Sequence, residues 1–155
     1  MLRFAADWRR WRALPASDRR LVLALLALLP ATAAAIRLLG VGRVCGFLSR
    51  HPPIETDAQP ADTQQARALA RLVDAAARRV PGRPSCLPRS ITLWWLLRRR
   101  GIDSALRIGV RTVDGRLHAH AWVELDGLVL NDDQDVGLRF APFEGVNLPA
   151  SRTTP

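Results

Sequence analysis

The sequence predicts an α+β fold in which helices come first and a small antiparallel sheet follows. Up to Gly101 the apolar residues recur at helical spacing, and beyond it they alternate with polar residues as they do in strands. Two Asp-Gly pairs, at residues 114–115 and 126–127, interrupt that alternation where two-residue hairpin turns are expected. With 155 residues, of which 48% are hydrophobic, the chain can enclose a core of ordinary size.

Composition divides the chain into three predicted parts: an N-terminal helical unit at 1–50, a linker at 51–62 and a core domain at 63–155. The linker holds three prolines among polar residues, and such a stretch cannot continue a helix. The net charge of +9 is uneven, since residues 1–50 contain nine Arg against two Asp and the rest of the chain fourteen Arg against twelve acids. A nucleic-acid binder is expected to extend its basic surface across the core, so this distribution argues against one.

The N-terminal unit is predicted to contain three helical segments. One face of the first collects its large aromatic side chains, Phe4, Trp8 and Trp11. The second is expected to begin with Ser17 as N-cap and Asp18 in its first turn, and to run through "LVLALLALLPATAAAI". A third segment at 36–49 completes the unit.

The apolar run of the second segment has three open interpretations: a buried or partner-facing helix, a membrane-surface helix, or a signal peptide. It contains sixteen residues interrupted by Pro30 and Thr32, whereas a helix needs about 20 apolar residues to cross a bilayer. We therefore expect no membrane span and a cytoplasmic location.

The core domain is predicted to open with two helices. Asp62 and Gln65 have the spacing of a capping box at the start of the first. Its apolar stripe consists of Leu69, Leu72, Val73, Ala76, Ala77 and Val80. The second helix is expected to have Ser85 as N-cap, and three Arg followed by Gly101 predict its end.

Cys86 stands in the first turn of that second helix. The free amide groups and the dipole at a helix N-terminus stabilise a thiolate, which is the reactive form of cysteine. The alternative is a small buried core residue, which is what most lone cysteines are. Cys45 lies inside an apolar helical stretch and has no comparable setting.

A three-stranded antiparallel meander is predicted after Gly101, from the runs "SALRIGVRT", "LHAHAWVEL" and "LVLND". On the middle strand one face carries His118, His120, Trp122 and Glu124. The register of the third strand is open: a two-residue turn at 126–127 brings Asp133 opposite His120, whereas a bulged three-residue loop brings Asp132 there. In both cases an aspartate lies beside His120.

A cysteine at a helix start, then a histidine on one strand and an aspartate on the next strand supply a nucleophile, a base and a group that orients the base. This is also the arrangement of transglutaminase-like cysteine peptidases. The two cysteines and three histidines show no metal-ligand spacing, and there is no glycine-rich phosphate loop. We expect no cofactor and no metal.

The stretches "CLPRSITLWWLLRRRG", "ALRIGV" and "HAHAWVELDGLVLND" resemble the lasso-peptide leader peptidase family, the protease half of the split B protein of lasso-peptide biosynthesis. The resemblance covers residues 62 to about 135. It implies that Cys86 attacks the amide at the end of the leader sequence, that His120 activates the thiol and that Asp132, preferred over Asp133, orients the imidazole. It also implies that Trp122 walls the site, and His118 is a candidate substrate contact or a solvent-facing side chain.

The resemblance further implies three partners: the precursor peptide as substrate, a separate leader-recognition protein, and a macrolactam-forming cyclase that acts on the freed core peptide. The basic N-terminal helices are the candidate docking surface, or else they only cover one side of the core. Two other classes stay open, namely a catalytically silent transglutaminase-like binding protein and an Arg-rich nucleic-acid or membrane-surface binder.

Overall fold

A computed structural model describes residues 15–50 and 63–142. The predicted α+β class is confirmed. In chain order the elements are α1 (Ala16–Leu39), α2 (Val41–Ser49), α3 (Thr63–Ala77), α4 (Cys86–Arg99), β1 (Ala105–Val113), β2 (Arg116–Leu125), β3 (Leu128–Val129), α5 (Val136–Arg139) and β4 (Ala141–Pro142). The aromatic face of Phe4, Trp8 and Trp11, the cap at Asp62 and the linker at 51–62 lie outside the described residues, so the domain boundary stays a prediction.

Two predicted boundaries in the N-terminal helices are wrong. Helix α1 begins at Ala16 with Pro15, not Ser17, in the cap position, because the Pro15 carbonyl already accepts a helical hydrogen bond from the Arg19 amide at 3.0 Å. The helix then continues to Leu39 and ends at Gly40, whose φ of 81° is unfavourable for other residues. The third segment therefore starts at Val41 and not at residue 36.

A single apolar cluster joins the helices to one face of the sheet. The predicted stripe of α3 is buried apart from Leu72, which is half-buried. Helix α1 contributes Leu25 and Leu29 to the same cluster, and the strands contribute Leu106, Val123 and Leu125. Helix α4 lies between these layers and buries Ile91, Leu93, Trp94 and Leu97. The N-terminal helix is thus a structural part of the core that holds α4 in place.

Helix α1 also has an exposed side. Over Asp18–Leu39 it is long and apolar enough to cross a membrane by length and composition, a test that core helices and signal sequences also pass. Only 22% of its most apolar window is buried, and Leu23 and Leu38 are exposed.

The predicted end of α4 is confirmed and takes the form of a Schellman motif. The Ile102 amide donates to the Leu97 carbonyl, and the Gly101 amide donates to the Arg98 carbonyl, both at 3.0 Å. Gly101 has a φ of 71°, and Ile102 is buried against the core. This motif turns the chain sharply from the end of α4 into β1.

The sheet has the strand order β3-β2-β1-β4, with all pairs antiparallel. Both Asp-Gly pairs form two-residue turns in which Asp and Gly have positive φ. For residues 126–127 this is one of the two loops that the sequence left open. Two features differ from the prediction: β3 ends after Val129, and the short strand β4 pairs with β1. On the face away from the helices a second small cluster comprises Trp122, Val129, Val136 and Phe140.

Gly109 provides the space that this second cluster needs. A Cβ atom at this position would lie 2.8 Å from the Phe140 Cβ, 2.9 Å from the Trp122 ring and 3.0 Å from the Ala141 carbonyl oxygen. We predict that Gly109→Ala lowers the free energy of unfolding by about 1–3 kcal/mol, the usual cost of overpacking. Chemical denaturation measures the change.

The matched control is Gly137→Ala. Gly137 lies in the exposed turn of α5, and a Cβ there meets no atom within 4 Å. This variant should be as stable as the parent or slightly more stable, because alanine favours helix over glycine by about 1 kcal/mol. Equal stability of the two variants would contradict the packing role of Gly109.

Candidate active site

His120 and Asp132 form the most direct contact among the candidate residues. His120 Nε2 lies 2.6 Å from Asp132 Oδ2, and both side chains are about three-quarters buried. The other carboxylate oxygen, Oδ1, accepts a hydrogen bond from the Asp133 amide at 2.9 Å and lies 3.5 Å from the Arg139 guanidinium. Both carboxylate oxygens of Asp132 are thus held by partners. Because Asp132 occupies Nε2 of His120, the other ring nitrogen, Nδ1, is left to exchange a proton with a substrate or a nucleophile.

The choice of Asp132 over Asp133 has a local cause. Leu125 pairs with Leu128, which is the two-residue register that on its own predicted Asp133 opposite His120. The ladder, however, stops early: the Leu130 amide donates to the Val123 carbonyl at 2.9 Å, but the Val123 amide donates to Asn131 Oδ1 at 2.8 Å and not to a strand carbonyl.

Asn131 therefore ends the strand, and the next residue turns toward the imidazole. Asp133 is left 80% exposed and paired with Arg139. The inference from register to Asp133 was wrong, because the side chain of Asn131 replaces the backbone partner.

A buried hydroxyl joins the cysteine helix to the histidine strand. Ser90 is fully buried, and its Oγ donates to the Ala121 carbonyl at 2.8 Å. The same Oγ accepts from Asn131 Nδ2 at 2.8 Å. These bonds form on the edge of β2 beyond the end of β3. Side chains of Ser90 and Asn131 therefore bond the backbone groups of Ala121 and Val123 that a longer third strand would bond. We call Ser90, Asn131 and the Ala121 carbonyl the junction.

Cys86 is half-buried at the first residue of α4, as the sequence predicts, with Ser85 in the N-cap position but making no side-chain cap. Ser90 is four residues further on the same helix face, which sets the two Cβ atoms about 5–6 Å apart. Since Ser90 bonds the carbonyl of Ala121, the residue after His120, Cys86 lies one helical turn from a contact with the histidine strand. Within the described residues no hydrogen bond joins the Cys86 sulfur to the ring.

Aromatic rings enclose the imidazole on the face away from the helices. The Phe140 ring stacks on it with centroids 4.9 Å apart, and the Arg111 guanidinium lies 4.6 Å from the Phe140 centroid. The buried Trp122 ring is 6.3 Å from the imidazole centroid, and its Nε1 donates to Glu124 at 2.7 Å. Apolar rings exclude water from a polar pair and so strengthen the attraction between its charges.

Comparison with known families agrees with this architecture. A family model described as the transglutaminase-like superfamily matches residues 25–144, which includes most of α1, the cysteine helix and the whole sheet. The chain belongs to the transglutaminase-like superfamily. No curated protein and no solved structure matches the chain in the corresponding searches. The superfamily includes cysteine peptidases, and the match extends through both elements that carry the candidate nucleophile and base.

His118 is the candidate residue that stays apart in this transglutaminase-like chain. It lies on the same face of β2 as His120, opposite Arg111, and is exposed. It makes no contact with the imidazole pair that the structure describes. A substrate contact for His118 remains a prediction, as does the same role for Trp122.

Three contributors to the site were missed by the sequence reasoning. Ser90 could have been noticed as a polar residue one turn after Cys86 on the same helix face, and Asn131 as the amide directly before Asp132. Phe140 gave no usable signal, because its approach to His120 depends on Gly109 in a different strand. In the described residues no group of three or more His, Cys, Asp or Glu side chains could hold a metal ion.

The two cysteines differ in their environments, and this generates a prediction. Burial raises the pKa of the Cys45 thiol to about 11, so Cys45 stays protonated at neutral pH, whereas Cys86 is partly accessible at a helix start. Native protein treated with iodoacetamide at pH 7.5 should therefore incorporate one label, located by mass spectrometry on Cys86. Denatured protein should incorporate two labels. Fast labelling of Cys45 in the native protein would contradict the burial of its thiol.

Proposed function

We propose that the chain is a cysteine peptidase that cleaves the leader sequence from a ribosomally made lasso-peptide precursor in the cytoplasm. The observation that carries the proposal is the 2.6 Å contact between His120 Nε2 and Asp132, on a strand tied to the helix that begins with Cys86. The family match supports the class of fold, and the resemblance of the three motif stretches to leader peptidases supports the substrate.

In the proposed reaction His120 Nδ1 takes the proton of the Cys86 thiol, and the thiolate attacks the carbonyl carbon at the end of the leader. The C–N bond then breaks, and the same imidazole gives its proton to the departing amine of the core peptide. Water, deprotonated by His120, attacks the resulting thioester and releases the leader as a carboxylate with the Cys86 thiol regenerated. Asp132 holds the ring and stabilises the imidazolium that forms in each half-reaction.

The start of α4 also offers a donor for the negative oxygen of the tetrahedral intermediate. The first amide groups of a helix have no partner within the helix. We assign the Cys86 backbone amide to this role, because it belongs to the same residue as the attacking sulfur and is the first amide of the helix.

The proposal includes a separate leader-recognition protein that delivers the precursor, and a cyclase that closes the ring of the product. The exposed sides of α1 and α2 support a docking role for the recognition protein. They present Leu38 and Phe47 to solvent beside Arg37 and Arg43, a mixture of apolar and guanidinium groups typical of protein interfaces.

The central test is Cys86→Ala in a reconstituted mixture of precursor, recognition protein and this chain. Release of leader peptide, followed by mass spectrometry, should become undetectable because no thioester can form. Cys45→Ala is the matched control and should retain release, since Cys45 is buried in α2. Undiminished release by Cys86→Ala would show that the chain is not the peptidase, and would favour a silent binding protein of the same fold.

The two neighbouring aspartates allow a second test. Asp132→Asn should lower kcat by about 10³–10⁴-fold, because the amide does not stabilise the imidazolium and favours the wrong tautomer. Asp133→Asn should change kcat less than about twofold, since Asp133 is exposed and contacts Arg139 only through its carboxylate. The reverse ranking would assign the orienting role to Asp133.

A further inference from the structure

The Ser90 hydroxyl links all three elements of the candidate site. It lies on α4, its Oγ donates to a β2 carbonyl, and it accepts from Asn131, which directly precedes Asp132. Asn131 completes the link by accepting from the Val123 amide. The helix with the nucleophile, the strand with the base and the segment with the orienting acid therefore meet at one oxygen atom.

We propose that Ser90 and Asn131 are positioning residues that set the distance between the Cys86 thiol and His120. This inference rests on the proposed function, because it names what makes that site competent. The side chains of the two residues bond Ala121, Val123 and each other, not the Cys86 sulfur or the His120 ring, and act through α4 and β2.

The geometry at the junction explains why a small displacement matters. Backbone groups of residues two apart in a strand point to the same edge, and the Val123 carbonyl accepts from the Leu130 amide on the β3 side, so the Ala121 carbonyl points to that edge beyond the end of β3. Ser90 occupies that carbonyl at 2.8 Å. Helix α4 is thus located against the strand one residue from the imidazole and one helical turn from the sulfur.

Apolar contacts cannot fix this position by themselves. The dispersion contacts of buried side chains such as Leu93 and Leu97 have no preferred direction, whereas a buried hydrogen bond does. The hydroxyl is fully buried, so water cannot replace either of its partners. A displacement of about 1 Å between reacting groups is enough to lower a rate by about 10²-fold.

The test compares Ser90→Ala with Thr92→Val. Thr92 is a matched control on the same helix: it is almost fully buried, and its hydroxyl bonds Thr32 of α1 at 3.3 Å, away from the sheet. Both variants lose one buried hydroxyl of α4, but only Ser90→Ala opens the junction. Denaturant midpoints and near-ultraviolet circular dichroism establish that each variant is folded.

The first readout needs no substrate. The rate at which iodoacetamide alkylates Cys86 at pH 7.5 should fall about tenfold in Ser90→Ala, toward the rate of His120→Ala, because the thiolate forms by proton transfer to the imidazole. Thr92→Val should react within about twofold of the parent, since its junction is intact. Ser90→Thr keeps the hydroxyl and should restore the parent rate.

The second readout is the cleavage of precursor. Ser90→Ala should lower kcat by about 10²-fold with KM within about twofold of the parent, because positioning affects the chemical step and not the docking of the leader. Should Ser90→Ala not fold, Asn131→Asp provides the same comparison: it keeps the acceptor for Val123 but removes the donor to Ser90.

Two results would overturn the inference. One is a parent-like alkylation rate in a folded Ser90→Ala or Asn131→Asp variant. The other is an equal fall of the alkylation rate in Thr92→Val, which would show that the loss of any buried hydroxyl from α4 has the same effect. Failure of the proposed function can be told apart from failure of this inference. If the parent protein releases no leader peptide, the alkylation rates of Cys86 in the parent and the variants still decide the role of Ser90.

Discussion

The hydrogen bond between the Ser90 hydroxyl and the Ala121 carbonyl is the constraint on which the geometry of this protein depends. Burial of a polar group is unfavourable unless it finds partners, and here one oxygen satisfies both a strand edge and an asparagine. Because the partners come from different elements, the helix cannot rotate or slide without leaving a polar atom unpaired. Apolar packing gives the fold its stability, and this contact gives it a defined alignment.

Much of this architecture could be predicted from the sequence. The change of period at Gly101, the two Asp-Gly turns and the stop signal after three arginines identified α4, β1 and β2 with nearly correct limits, because each depends on local backbone preferences. The position of Cys86 at a helix start and the shared face of His118, His120 and Trp122 followed from the same local rules.

What could not be predicted depends on contacts between distant segments. The sequence left the register and the aspartate open, and the two-residue turn that forms would place Asp133 opposite His120 if the strand continued. The Val123 amide instead bonds the Asn131 side chain, and Asp132 contacts His120. Strand β4 has two residues, too few for a periodic signal, although its pairing with β1 brings Phe140 next to Gly109. Side-chain competition for backbone groups leaves no periodic trace in a sequence, so such features emerge only from the assembled fold.

The short third strand also affects how copies of the protein meet in solution. Beyond Val123 toward the hairpin, β2 has no neighbouring strand on one side among residues 15–50 and 63–142, so Leu117 and Ala119 direct amides and carbonyls outward. An unpaired edge of this kind is a template for aggregation. The exposed Arg116 on the same strand opposes such pairing, because the guanidinium groups of two copies repel each other, and this repulsion weakens as salt shortens the screening length to about 8 Å at physiological ionic strength. Colloidal stability therefore depends on the charge at the tip of this hairpin.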